Sequence, residues 1–263
     1  MSHATALRIE DHEGVRVLTH TAAPWNRMSF AYLDELEAAV EAATVDDSVR
    51  ALLLTADGDQ HFSVGMDLRE LMTGSDARGG AESVLDQRLR VLRKIERLDK
   101  PSVVTMFGYC LGGGLELPLA CHFRLAALDG LQAGLPELEL GTVPAWGGSV
   151  RLARCVGRDR ALDMILRRRK IDGPEALRIG LVHALHPLAE LRDAALTLAL
   201  DLARQPRPSV AGVLRAVIGA EDLSLTEALA VEREAVLACR RSGNQDEGLR
   251  AFIERRPPRF PAP

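Results

Sequence analysis

Alternating apolar and polar residues open the chain and predict a pair of strands. From Ala6 to His20 the two classes alternate on either side of Gly14, which is typical of strands joined by a tight turn. Three later runs are short, continuous and apolar, and such runs are typical of strands buried on both faces. They are VRALLLTA (residues 49–56), PSVVTMF (101–107) and HFRLAAL (122–128).

Between these strands, apolar residues recur at helical spacing. Ser29 has the chemistry of an N-cap, and the apolar positions after it predict a helix. They are Leu33, Leu36 and Val40. A longer amphipathic helix is predicted from Ala81 to Leu98. Its buried stripe is expected to consist of Leu85, Leu89, Leu92 and Ile95. The glycine-rich segment 73–80 before it is expected to be a mobile loop.

The alternation of strands and helices predicts an α/β layer with crossover connections, and this pattern changes after about Pro187. From there the chain is almost wholly helical, with predicted helices over 188–205, 208–220, 225–241 and 245–255. We therefore divide the chain into residues 1–187 and a helical C-terminal region, 188–263. The proline-rich end, 255–263, is expected to lie along a surface.

Composition and charge narrow the class of protein. The chain has 263 residues, of which 47% are hydrophobic and 27% charged, with a net charge of −4. These values are typical of a soluble globular protein and argue against nucleic acid as the main partner, because phosphate binding requires a concentrated basic face. No apolar run approaches a membrane span, and the four cysteines show neither disulfide nor metal-site spacing. We expect a cytoplasmic protein that holds no metal.

Two glycine-containing turns predict a pair of free backbone N–H groups. Gly112 to Gly114 follow one buried strand, and Gly65 follows the loop after another, with a helix predicted from about Asp67. At such turns, N–H groups at the start of a helix have no partner within the helix. A phosphate site is excluded here because neither turn is followed by Lys-Ser or Lys-Thr. The turns instead suggest two donors that converge on one oxygen, an oxyanion hole.

Two carboxylates lie close to these turns in the sequence. Glu116 follows the glycines directly inside an apolar run, and Glu137 follows Pro136, which fixes the local backbone. Two carboxylates in one dry pocket shift each other's pKa values apart, which suits paired acid and base roles. The sequence therefore predicts proton transfer next to a stabilised oxyanion.

In order and spacing, four segments together resemble the crotonase (enoyl-CoA hydratase/isomerase) family over essentially the whole chain. They are HFSVGMDLREL (61–71), FGYCLGGGLELPLACHFRLAA (107–127), GLPELELGTVPAWGGSVRL (134–152) and ALRIGLVHAL (176–185). The resemblance implies a spiral of ββα units followed by a helical region that mediates trimerisation. It also implies a homotrimer, or a hexamer formed as a dimer of trimers.

The resemblance further implies an acyl-CoA thioester as the substrate, with coenzyme A as part of that substrate and no separate cofactor. The implied oxyanion donors are the N–H groups of Val64 and Gly113. Glu116 would be the general base on water and Glu137 the proton donor to the α-carbon of a 2-enoyl-CoA. The implied substrate-binding residues are Val64, Gly65, Met66, Asp67, Gly112 and Gly113.

Some alternatives stay open at this point. The same site would suit a double-bond isomerase, or a hydrolase or decarboxylase of a specialised acyl-CoA. An inactive scaffold or an RNA-associating homologue is the alternative from another class. Met66 and Trp146 stand where the family usually has small residues, so each either reshapes the acyl pocket or packs in the core.

Overall fold

The computed structural model describes residues 5–260, and these residues form the predicted α/β layer. Eight strands lie within this range: β1 (Leu7–His12), β2 (Val15–His20), β3 (Ala51–Ala56), β4 (Ser102–Met106), β5 (Tyr109–Leu111), β6 (Phe123–Ala127), β7 (Gln132–Gly134) and β8 (Ala184–His186). Six of them form one sheet in the order β1-β2-β3-β4-β6-β8. Only β1 and β2 pair antiparallel there; the other neighbours are parallel.

Eleven α-helices lie within the same range: α1 (Phe30–Val45), α2 (Leu68–Gly74), α3 (Ala81–Glu96), α4 (Gly113–Leu119), α5 (Gly148–Val156), α6 (Arg158–Leu166), α7 (Gly173–Arg178), α8 (Leu188–Ala203), α9 (Arg207–Leu214), α10 (Leu225–Arg241) and α11 (Asn244–Ile253). Ser29 caps α1 as predicted, since its side chain accepts from the N–H of Tyr32 at 3.0 Å. No helix among the described residues is both long and apolar enough to cross a membrane.

The sheet is covered on both faces, as continuous apolar strands require. Every residue of β3 is buried. α8 lies against β2, β3, β4, β6 and β8 and buries a stripe of small residues that includes Ala195 and Ala199. Close packing of these alanines lets the helix backbone approach the sheet. The division placed after Pro187 falls at the start of this helix, and the role of 188–263 in assembly stays a prediction.

Two expectations need correction here. The segment 73–80 is not an irregular loop throughout, because it contains the end of α2 and a 3₁₀ turn at Asp76–Arg78. The Arg78 guanidinium lies 4.7 Å from the centre of the Phe30 ring and pairs with Asp34, which fixes this turn against α1. The predicted buried stripe of α3 is right for Leu92 and Ile95 but wrong in the first half of the helix, where Leu89 is 38% exposed and Val84 and Arg88 take the inward positions. The C-terminal segment 255–263 lies partly outside the described residues.

Three parallel segments beside the main sheet position the site. β5 pairs with β7, and a bridge between Ser63 and Cys110 adds the chain before Gly65. Parallel segments place their carboxyl ends at one edge, as in open α/β sheets that bind ligands there. This edge therefore holds the Gly65 turn, the Gly112 turn and the start of the 3₁₀ segment Glu137–Leu140.

Candidate active site

The two glycine turns are in contact, as their sequences predicted. Gly65 has a φ of +87°, and a Cβ atom there would lie 2.9 Å from the carbonyl oxygen of Leu111 and 3.2 Å from the backbone nitrogen of Gly113. A Cβ on Gly114 would lie 2.2 Å from the carbonyl oxygen of Ser63. Side chains at either position would force the turns apart, so the glycines are required by close backbone approach.

The first two glycines of the triplet border the site itself. A Cβ on Gly112 would lie 3.0 Å from Oε1 of Glu137. A Cβ on Gly113 would lie 3.1 Å from the Trp146 ring and 3.4 Å from Sδ of Met28. The Gly113 N–H has no hydrogen-bond partner among residues 5–260, and it stands at the start of α4, where the helix dipole adds positive charge. One donor expected from the sequence is thus free.

The second expected donor is not free, because the N–H of Val64 donates to the carbonyl oxygen of Trp25 at 3.2 Å. The geometry instead favours Met66, two residues on. On either side of it, the carbonyl oxygen of Gly65 accepts from the N–H of Met28, and the N–H of Asp67 donates to the carbonyl oxygen of Met28. The N–H of Met66 itself forms no hydrogen bond within the described range. The Val64 assignment is therefore wrong on geometry, and the turn offers a different N–H group from the same motif.

The Gly65 turn is held by a chain of hydrogen bonds that begins at Asn26. The amide nitrogen of Asn26 donates to the carbonyl oxygens of Asp57 and His61, at 3.0 and 2.7 Å. The Ser63 hydroxyl donates to Asn26 O at 2.7 Å and accepts from Gly65 N at 3.1 Å. The side chain of Asp67 accepts from the N–H groups of Arg69 and Glu70 and caps α2. The turn is therefore preorganised without a ligand.

Glu116 is buried at 2% exposure and is held by one of its two oxygens. Oε1 accepts from the backbone N–H groups of Trp146 and Gly148, at 2.7 and 2.9 Å. Oε2 takes no hydrogen bond from residues 5–260, so it remains available to a ligand. A Cβ on Gly148 would lie 2.7 Å from Oε1, so only glycine lets this N–H approach. These contacts fix the direction in which the carboxyl group points.

The loop that holds Glu116 is itself fixed by an ion pair. Arg151 pairs with Glu96 through two hydrogen bonds, at 2.7 and 2.8 Å. The same guanidinium donates to the carbonyl oxygen of Trp146 at 2.8 Å. Trp146, whose N–H group meets Glu116, is thus held through its carbonyl oxygen by Arg151 of α5, and Arg151 is held in turn by Glu96 of α3. Sequence reasoning did not identify Trp146 N or Gly148 N, although the glycine pair at 147–148 was the available signal.

Glu137 is less firmly held. It begins the 3₁₀ segment after Pro136 and is half-buried. Its Oε2 is buried and has no partner among the described residues, while Oε1 faces Gly112. An unpaired buried carboxyl oxygen is costly unless it is protonated or meets a ligand. The two predicted carboxylates are therefore brought to one site, in unlike surroundings.

Burial shifts both carboxyl groups toward the neutral form. The pKa of Glu116 is raised to about 7, mainly by burial, with a smaller contribution from the charge of Glu137, while the hydrogen bonds from the Gly148 and Trp146 N–H groups oppose the shift. Burial also raises the pKa of Glu137. A base with a pKa near the working pH combines a useful ionised fraction with adequate basicity. Perturbed carboxylates beside unpaired N–H donors are typical of an active site.

Trp146 and Met66 both pack against the core, which is one of the two interpretations left open, and an effect on the shape of an acyl pocket stays a prediction. Trp146 is 4% exposed within the core, and its ring also borders Gly113. Met66 is half-buried and packs on the same core beside the candidate donor. His61 and His122 are structural, since each Nδ1 accepts a backbone N–H at 3.0–3.1 Å. No group of three potential metal ligands occurs between residues 5 and 260.

Comparison with known proteins gives a consistent result. Residues 10–263 match the family model described as enoyl-CoA hydratase/isomerase. A probable enoyl-CoA hydratase of Bacillus subtilis is 34% identical over 258 residues, which cover 97% of this chain and 98% of that protein. The short-chain-enoyl-CoA hydratase of Clostridium acetobutylicum is 32% identical over 231 residues, covering 88% and 87%.

The fold agrees with a solved structure of the same description. The crystal structure of an enoyl-CoA hydratase from Bacillus anthracis superposes with a TM-score of 0.91 at 28% identity, covering 98% of this chain and 100% of that one. This confirms the predicted crotonase fold, an α/β layer with a helical C-terminal region. Fold and sequence agree, and the chain belongs to the enoyl-CoA hydratase/isomerase family.

Proposed function

We propose that this protein adds water across the 2,3 double bond of a 2-enoyl-CoA thioester. One observation carries the proposal: Glu116 is held by two N–H groups through Oε1 and keeps Oε2 free, beside a second carboxyl group of raised pKa. Hydration needs a base that takes a proton from water and an acid that gives a proton to the α-carbon. Glu116 and Glu137 are candidates for these two roles, and both lie beside the glycine turns.

In the proposed reaction, Oε2 of Glu116 takes a proton from water as the water oxygen attacks the β-carbon. The electron pair of the double bond moves to the thioester carbonyl oxygen, which becomes an enolate. The N–H groups of Gly113 and Met66 stabilise that charge, and each such donor typically contributes a factor of roughly 10²–10³. Glu137 then gives a proton to the α-carbon, so atoms and charges balance across the two glutamates.

The substrate-binding role extends to the backbone between the two turns. Residues 64–67 and Gly112–Gly113 would line the thioester and the pantetheine end next to it. The two backbones lie close together, and a ligand has room beside them only because four positions carry no side chain: Gly65, Gly112, Gly113 and Gly114. Coenzyme A enters as part of the substrate, and the proposed chemistry requires no further cofactor. A trimeric or hexameric assembly and a cytoplasmic location stay predictions.

The test uses crotonyl-CoA and the absorbance of its conjugated enoyl thioester. We expect the wild-type protein to remove this band by hydration, and Glu116→Gln with Glu137→Gln to abolish turnover while thioester binding persists. Glu139→Gln is the matched control, because Glu139 lies in the same 3₁₀ segment but is exposed. If 3-enoyl-CoA is converted while crotonyl-CoA gains no water, the protein is an isomerase and the proposal is wrong.

A further inference from the structure

One arginine occupies a core position of α3. The buried residues of this helix are Val84, Arg88, Val91, Leu92 and Ile95, so a cation stands in an otherwise apolar stripe. Arg88 is only 6% exposed. Arginines are rarely buried to this extent unless a partner neutralises them. The contacts of Arg88 therefore decide whether its charge is neutralised.

Within residues 5–260 this guanidinium has no hydrogen-bond or ion-pair partner. Its Nε and Nη2 atoms are buried and form no hydrogen bond, and no carboxylate pairs with it. On the same helix, Arg90 and Lys94 both pair with Glu37, at 2.6 and 2.9 Å. Unpaired buried donors on a cation are expensive, so a site that tolerates them is typically completed by a ligand. Burial also lowers the pKa of Arg88 to about 10.

The position of Arg88 relative to the catalytic groups is defined by one shared residue. Its guanidinium carbon lies 4.8 Å from the centre of the Trp146 ring. The Cζ3 and Cη2 edge of that ring borders Gly113, and the Trp146 N–H holds Glu116. Arg88 is thus separated from the candidate oxyanion donor by one indole ring. For the acyl chain of a thioester bound at Gly113 to reach Arg88, its far end has to pass this ring.

Glu116 is not the missing partner. Its Oε1 is committed to two backbone N–H groups, and it forms no hydrogen bond with Arg88. The charge of Glu116 raises the pKa of Arg88, but burial outweighs it. Guanidinium presents a planar fork of donors that matches a carboxylate. An acyl chain that ends in a methyl group would leave Nε and Nη2 of Arg88 without a hydrogen-bond partner.

We propose that Arg88 binds a carboxylate at the distal end of the acyl chain, so that the preferred substrates are enoyl-CoA thioesters of dicarboxylic acids. This inference rests on the proposed hydratase function for its kinetic test, but not for its binding test. Trp146 stacks on the guanidinium and keeps the fork in position. The arginine then acts as a specificity residue, and the reaction at the double bond is unchanged.

The kinetic test compares thioesters matched in length: glutaconyl-CoA with trans-2-pentenoyl-CoA, and trans-2-hexenedioyl-CoA with trans-2-hexenoyl-CoA. We expect kcat/KM to favour the carboxylated member of at least one pair by about 10- to 100-fold, because charge-assisted hydrogen bonds contribute that much. Arg88→Met should reverse the preference, and Arg88→Lys should keep part of it. Arg93→Met is the control, because Arg93 is exposed on the same helix.

The binding test uses saturated thioesters and needs no turnover. Glutaryl-CoA should bind wild-type protein at least tenfold more tightly than pentanoyl-CoA, and Arg88→Met should remove that difference. Equal losses for both ligands would assign Arg88 to general site structure and overturn the proposal. Hydration of the neutral thioesters without any preference for a carboxylate overturns it as well. A carboxylate preference in binding without hydration of any substrate supports Arg88 and refutes the hydratase function alone.

Discussion

The surroundings of Glu116 and of Glu137 differ more than their shared residue type suggests. Glu116 lies in α4 and is held through Oε1 by two N–H groups from the loop before α5. Glu137 begins a 3₁₀ segment, and its buried Oε2 has no partner among the described residues. The first carboxyl group is thus preorganised, whereas the second is left for a ligand to satisfy. This unequal restraint fits the proposed roles, in which Glu116 is a base of fixed direction and Glu137 is an acid that exchanges its proton.

The largest expected effect is that of replacing the Glu116 carboxylate. Glu116→Gln keeps an oxygen for the two N–H bonds but cannot take a proton, so kcat for hydration of crotonyl-CoA should fall by about 10³–10⁴-fold. Loss of the enoyl-thioester absorbance measures this rate. A loss below tenfold would show that Glu116 is not the base.

Removal of the less restrained carboxyl group should cost less. We expect Glu137→Gln to lower kcat by about 10²–10³-fold, since proton delivery to carbon can be partly replaced by solvent where the side chain is half-exposed. The measurement is the same, with Glu139→Gln as its control. A greater loss than in Glu116→Gln would reverse the comparison.

The restraint on Glu116 can be broken without touching the carboxyl group. In Gly148→Ala the added Cβ would lie 2.7 Å from Oε1 and 2.8 Å from Cγ of Glu116, so the side chain must move. A displacement of this size should lower kcat by about 10²-fold. Gly248→Ala in α11 is the control, because the nearest atom to its Cβ is 3.8 Å away. Equal activity in the two variants would contradict the role of the loop.

The two carboxyl groups should also be coupled in their pH dependence. In the proposed reaction Glu116 is the ionised base, and its pKa is about 7, so kcat/KM should fall as the pH decreases through 7. The charge of Glu137 contributes to that raised pKa. In Glu137→Gln the acidic limb of the remaining activity should therefore move to lower pH. An unchanged or higher midpoint would show that the charges do not interact.

The smallest expected effect is on stability. Because burial raises the pKa of Glu116 from 4.5 to about 7, its ionised form destabilises the folded state, by at most roughly 3 kcal/mol above pH 7. This cost appears as the pH rises from about 4.5 to 7. Relative to wild type, Glu116→Gln should gain a few degrees in Tm at pH 8 and much less at pH 5. Thermal denaturation at the two pH values measures the difference.

The sequence predicted those parts of the fold that depend on local periodicity. The strands around Gly14, the helix capped by Ser29 and the buried strand β3 occur where the pattern placed them. The glycine triplet and its partner turn also meet as expected. The strands and the helix depend on residues within one turn or one strand of each other, and such signals are visible in a single sequence. The meeting of the two glycine turns is a contact between distant segments, and it was predicted from the free N–H groups expected at each turn.

What the sequence could not supply depends on contacts between distant segments. The Val64 N–H was expected to be free, but Trp25, almost forty residues earlier in the chain, accepts its hydrogen bond. The stripe of α3 was assigned to leucines, although Arg88 faces inward and Leu89 is partly exposed. Hydrophobic spacing assumes that the most apolar face is the buried one. That assumption fails at Arg88, the position proposed above to bind a carboxylate.

The contact between the Gly65 and Gly113 turns has a consequence for how such a site can change over evolutionary time. The proposed donors are main-chain groups, so a substitution that keeps the two turns in contact and introduces no proline retains both N–H groups. Substitutions at Glu116, Glu137, Trp146 or Arg88, in contrast, each alter one chemical property and leave the turns in place. Related proteins with this fold can therefore differ in their acid, base and chain-end residues while they keep the same two proposed backbone donors for the reacting carbonyl oxygen.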